Sequence, residues 1–140
     1  MAVAIDVVYQ GDLHCKATHG PSQHFLITDA PTDNGGRGDA FSPTDLVATA
    51  MGTCLVTIMA LLAERSGWDI EGTRVHVEKV MVADPVRRIG RLDVVIAVPQ
   101  EKALALDEVA REKLERAALA CPVTASLHPD VVKNIVFTYS

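Results

Sequence analysis

Hydrophobic and polar positions alternate at both ends of the chain and give way to a long apolar run near its middle. Val3, Ile5 and Val7 alternate with Ala4 and Asp6, which predicts a first strand ending at the turn pair Gly11-Asp12. Leu13 to Thr18 predicts a second strand, ended by His19-Gly20-Pro21, and His24 to Asp29 a third, with Phe25 and Ile27 on one side. Ala30 to Ala40, with Pro31, Asp33-Asn34, Gly35-Gly36 and Gly38, reads as a loop. Ser42 is a good N-cap, Pro43 suits the first helical position because its missing N–H would be unpaired there, and Asp45 stands three residues after the cap. A helix therefore starts at Pro43 and runs to about Ser66, where Gly67 stops it. Its segment Leu46 to Ala63 carries no charge.

Past Gly72 the alternation returns. Val75 and Val77 alternate with Arg74, His76 and Glu78, and Leu92, Val94, Ile96 and Val98 share one face of a segment starting near Ile89. These predict a hairpin of two half-buried strands. Asp107 caps a second helix with apolar positions Val109, Ala110, Leu114, Ala117 and Ala118 at helical spacing. Cys121 stands at the cap of a short helix, Pro122 to Leu127, and Val131 to Tyr139 closes the chain as a strand. The order β-β-β-α-β-β-α-α-β predicts one α+β domain over residues 1–140, an antiparallel sheet packed on a long apolar helix. One sheet of this size cannot surround such a helix, so an intimate homodimer with helices sandwiched between two sheets is the expected assembly.

Composition narrows the function. The chain is 49% hydrophobic and 22% charged, which places it among globular domains, and its net charge of -5 with scattered Lys and Arg argues against nucleic acid as a partner. The N-terminus lacks the basic region, apolar stretch and cleavage site of a secretory signal, so a cytoplasmic location is expected. The uncharged run meets the lower limit for a membrane span, but Thr49, Gly52, Thr53 and Thr57 interrupt it and favour a helix buried on all sides in a soluble core, with no membrane partner. Three cysteines without Cys-x-x-Cys or His-x-x-x-His spacing argue against a disulfide framework and a zinc site, and for reduced or redox-active thiols. His14, His19, His24, His76 and His128 are too dispersed to define a ligand set.

Cys54 and Cys121 are the candidate chemistry. Cys54 lies well beyond the first turn of its helix, so the helix dipole does not activate it, and an apolar setting alone raises a thiol's pKa. A cation from elsewhere is needed. Arg37 is the first candidate because its Gly-rich loop can fold back over the helix, with Asp45 or Asp39 to orient it; His14, Lys16, Arg87, Arg88 and Arg91 are alternatives. Cys121 sits where free N–H groups stabilise a thiolate. Set against this, a buried cysteine is often a small hydrophobe and a loop arginine is often only solvated.

Phe41-Ser42-Pro43-Thr44-Asp45-Leu46 leading to Gly52-Thr53-Cys54, then Arg87-Arg88-Ile89-Gly90-Arg91-Leu92, then Cys121-Pro122-Val123, resemble the OsmC/Ohr family of osmotically inducible and organic hydroperoxide resistance proteins. The resemblance spans essentially the whole chain. It implies an intertwined homodimer and a thiol-dependent peroxidase of oxidative-stress defence. Cys54 would attack an organic hydroperoxide and become a sulfenic acid, and Cys121 would resolve it to a disulfide. A dithiol, such as a lipoylated protein, would regenerate the pair, with no metal or prosthetic group. The chain departs from the family pattern where Thr44 and Asp45 stand in place of a Glu, and where His14, Lys16 and His19 stand in place of an Arg. Either Arg37 with Asp39 or Asp45 takes over that clamp, or the thiol chemistry is slower or different. The alternative function is a non-enzymatic member binding an apolar small molecule at the dimer interface.

Overall fold

The computed structural model describes all residues from Met1 to Ser140. Two compact units divide the chain, residues 1–47 and 48–140, and one helix begins in the first and runs on through the second.

The N-terminal unit is an antiparallel meander of β1 (Ile5–Gly11), β2 (His14–His19) and β3 (Phe25–Asp29), followed by a 3-10 turn at Thr32–Asn34. The tight β1–β2 turn places Asp12 and Leu13 at positive φ, 52° and 62°. Ile5, Val7, Tyr9, Phe25 and Leu26 stand exposed, whereas the buried side chains are polar: Thr28, Asp29 and Ser42. An isolated three-stranded sheet without a covered apolar face is marginal in water.

The helix α1 (Pro43–Ser66) starts where its cap predicts. Asp45 N–H donates to Ser42 Oγ at 3.1 Å and Ser42 N–H donates to Asp45 Oδ2 at 2.9 Å, a reciprocal capping box that satisfies two otherwise orphaned donors. The C-terminal unit continues with β4 (Arg74–Val82), β5 (Arg88–Ala97), α2 (Gln100–Ala103), α3 (Glu108–Leu119), α4 (Pro122–Ser126) and β6 (Val132–Thr138). Strand β5 is central, and its alternate residues Leu92, Val94 and Ile96 are buried with Met51, Leu55 and Met59 of α1 and Leu114 and Ala118 of α3 in one apolar cluster. Gly52 permits this packing, because a Cβ there would lie 2.7 Å from Val77 Cγ2.

The α+β class and the element order agree with the sequence, with three differences. There are two three-stranded sheets rather than one, and the last strand runs parallel to β5. Strand alternation encodes a face but neither the partner nor its direction, and the helical segment from Gln100 to Leu127 supplies the crossover a parallel pair requires. The short α2 escaped prediction because one turn carries no periodicity. Within the chain α1 is buried along a single stripe, Ala48, Met51, Gly52, Leu55, Met59 and Ala63, and not on all sides; Thr53, Thr57 and Leu61 are exposed. By length and composition this helix could cross a membrane, and a third of its most apolar window is buried.

The Gly52 contact is testable. Gly52→Leu should lower stability by about 1–3 kcal/mol through overpacking against Val75 and Val77, read as a lower urea midpoint.

Candidate active site

Cys54 lies on α1 beside the apolar cluster and is half-buried, while Cys121 is 1% exposed. The two thiols are free and hydrogen-bonded to each other. Cys121 reaches this position because α3 ends at Leu119 and the chain turns into α4 with Pro122 at its first position. That turn makes Cys121 the N-cap, its Sγ accepting from Thr124 N–H at 3.4 Å.

The environments of the two sulfurs are opposed. Burial and the neighbouring Cys121 push the Cys54 thiol above the ordinary cysteine range, and the Val123 amide only partly offsets them. Burial also pushes Cys121 up, but the Thr124 hydroxyl, the Cys54 thiol and the amides of Thr124 and Val123 outweigh it, so Cys121 titrates below the ordinary range. The Thr124 hydroxyl stands beside the Cys121 sulfur and favours its charged form. The lower proton affinity therefore belongs to the enclosed sulfur, and the proton shared by the pair rests on the sulfur that solvent can reach.

Arg37 lies in the N-terminal unit, its Nε 3.3 Å from Asp39 Oδ2 and its amide bonded to Asp29 Oδ2. Asp39 is thus the carboxylate that orients Arg37, while Asp45 serves the helix cap. Among the alternative cations, Lys16 lies over the Phe25 ring, Arg91 pairs with Asp93 at 2.9 Å, and Arg88 donates to the Ile89 carbonyl. Cys15 is half-buried on β2, opposite Tyr9 and Thr28. Sequence reasoning placed Cys121 at a cap but missed Thr124 and the Val123 amide. Their signal was present in the spacing, since the residues two and three beyond a cap point their N–H groups back at it.

The profile of the OsmC-like protein family matches residues 36–135. A crystal structure from Psychrobacter arcticus 273-4, of a protein provisionally named for osmotic stress induction and detoxification response, shares 43% identity over 95% of this chain and 93% of that one, with a TM-score of 0.87. An organic hydroperoxide resistance protein, OsmC, from Legionella pneumophila superimposes with a TM-score of 0.73 at 18% identity, covering 99% of this chain and 97% of that one. The organic hydroperoxide resistance protein OhrB of Bacillus subtilis does so at 0.69 and 15%, covering 99% and 98%. These last two share the fold. No curated protein matches the sequence.

A pH titration of thiolate absorbance should show a first step below the ordinary cysteine range, belonging to Cys121, and a second step above it. Removing one hydrogen bond to a charged sulfur, as in Thr124→Val, should move the first step up by about one pH unit. A low step that survives in Cys121→Ser would assign it to Cys54 instead.

Proposed function

The chain belongs to the OsmC-like protein family, and on that premise we propose that it is a dithiol peroxidase reducing organic hydroperoxides through Cys54 and Cys121. The observation that supports this most directly is the pair of mutually hydrogen-bonded thiols with opposed acidities. A peroxide O–O bond is cleaved by a thiolate, and Cys54 is the sulfur a substrate can approach, since Cys121 is enclosed. Cys121 has the lower proton affinity of the two, so when the pair is singly ionised Cys54 keeps the proton and Cys121 is its base.

In this cycle Cys121 takes the Cys54 proton as Cys54 attacks the terminal oxygen of the hydroperoxide. The O–O bond breaks, Cys54 becomes a sulfenic acid, and the leaving alkoxide takes the proton from Cys121 to depart as the alcohol. Cys121, again a thiolate, attacks the sulfenic sulfur; hydroxide leaves and takes a proton to become water. Two thiols have then lost two electrons to one hydroperoxide, and an external dithiol such as a lipoylated protein restores them by exchange.

The same protein is proposed to work as a homodimer. The exposed apolar side chains of the N-terminal sheet, Ile5, Val7, Tyr9 and Leu26 on one face and Val8 and Phe25 on the other, and the uncovered side of α1 at Leu61 are the surfaces a second copy would cover. A second reading, a binder of an apolar small molecule, is favoured by a recess of about 290 Å³ lined by Ile5, Ala17, Phe25 and Leu26 together with His19 and His24.

Cys54→Ser should abolish consumption of cumene hydroperoxide. Cys121→Ser should slow the first attack and stop after one turnover as a sulfenic acid trapped by dimedone. Turnover retained in Cys54→Ser removes Cys54 as the attacking sulfur, and absence of turnover in the parent protein leaves the binder. Sedimentation equilibrium should give twice the chain mass.

A further inference from the structure

A second cluster of reactive side chains lies wholly within the N-terminal unit. Asp29, the last residue of β3, is 1% exposed, and its carboxylate is held by the loop that follows. Arg37 N–H and Asp39 N–H donate to Oδ2 at 3.2 and 3.0 Å. The loop closes this tightly because residue 36 is glycine, where a Cβ would lie 1.7 Å from the Ala30 carbonyl oxygen. The other oxygen of Asp29, Oδ1, is buried without a hydrogen-bond partner. A buried carboxyl oxygen left bare costs free energy unless a donor or a cation answers it.

His14 pairs with Asp29 across β2 and β3 and points its ring at the same place. Its Nδ1 lies 2.7 Å from the Asp12 carbonyl oxygen. A carbonyl only accepts, so Nδ1 carries the hydrogen, and in the neutral ring Nε2 presents a lone pair. That lone pair faces Asp29 Oδ2 at 3.6 Å and Asp39 Oδ2 at 3.4 Å. His14 Nε2 and the two carboxylate oxygens converge on one place, and the Arg37 guanidinium reaches only Asp39. The spacing is that of ligands around one ion: donors bonded at about 2.0–2.2 Å stand roughly 3–3.6 Å apart at a tetrahedral or octahedral centre. All three ligand atoms lie within 4.8 Å of one another. The carbonyl behind Nδ1 is the support that orients metal-bound histidines.

We propose that His14, Asp29 and Asp39 form a mononuclear site for a divalent first-row metal ion. Two carboxylates balance the ion's charge, and the imidazole selects Mn²⁺ through Zn²⁺ over Ca²⁺ and Mg²⁺, which prefer all-oxygen sites. No thiol takes part, so the site is chemically separate from the Cys54–Cys121 pair, and it stands whether or not the peroxidase reading does. Asp39, half-exposed, is the ligand that closes over the ion, exchanging Arg37 for it.

The test uses the full chain, stripped with EDTA and titrated with Mn²⁺, a hard ion that thiolates bind poorly. Calorimetry should give one Mn²⁺ per chain, with paramagnetic broadening of the His14 ring signals. His14→Gln and Asp39→Ala should each weaken binding by about 10-fold or more. The Cys54→Ser, Cys121→Ser double variant should bind as the parent does. Asp39→Ala alters a half-exposed side chain, and near-UV circular dichroism confirms its fold. Absence of saturable binding up to about 1 mM, the weak end of protein sites, overturns the proposal. So do unchanged affinity in both ligand variants, and a His14 ring that is doubly protonated at neutral pH and indifferent to Mn²⁺, which makes the cluster an ion pair.

Discussion

The C-terminal unit depends on how closely α1 can approach β4. A helix normally keeps its backbone about 8–10 Å from what it packs on, and the absent side chain of Gly52 lets it sit closer, against Val75 and Val77. That contact sets the register of the buried stripe, so Met51, Leu55 and Met59 meet Leu92, Val94 and Ile96 in one cluster. It also sets Cys54, two residues on, at the edge of the stripe and not in it. A thiol in the stripe would be sealed by apolar neighbours; one on the far side would have no partner. The edge position leaves Cys54 half-buried and within hydrogen-bond reach of Cys121.

From that placement the electrostatics follow. Neither thiol leans on a distant field. Cys121 is served by the donors of one short turn, Thr124 and the amides of residues 123 and 124, and Cys54 is its fourth donor. Mutual hydrogen bonding means that stabilising one thiolate necessarily keeps the proton on the other. The arrangement separates two tasks that a single thiol performs poorly: holding negative charge, and meeting a substrate. It also offers a physical answer to the lack of the family's Glu near the helix start, where Thr44 and Asp45 stand and Asp45 is committed to the capping box.

The N-terminal unit shows the opposite economy. Its sheet leaves its large apolar side chains outside and buries Asp29, organising a glycine-bearing loop through main-chain donors. The loop that sequence reasoning read as freedom for Arg37 is instead wrapped around a carboxylate, and Arg37 is paired with Asp39. His14, Asp29 and Asp39 are separated by 15 and 10 residues along the chain, with no spacing that a linear motif would reveal.

Local chemistry determined much from sequence alone. Ser42, Pro43 and Asp45 set the start of α1, Asp107 capped α3 with its carboxylate on the Ala110 amide, and side-chain pattern and turn residues marked all six strands to within a few residues. Cap donors, proline geometry and side-chain period act over a few residues, so a linear reading captures them. Only the tertiary structure decided that the strands form two sheets, that β6 runs parallel to β5, and that α1 buries one stripe in its own chain. It alone decided which thiol is the more acidic, because the donors around Cys121 include Cys54, 67 residues away in sequence. Charge and proton affinity depend on through-space distance and burial, and neither is a property of sequence neighbours.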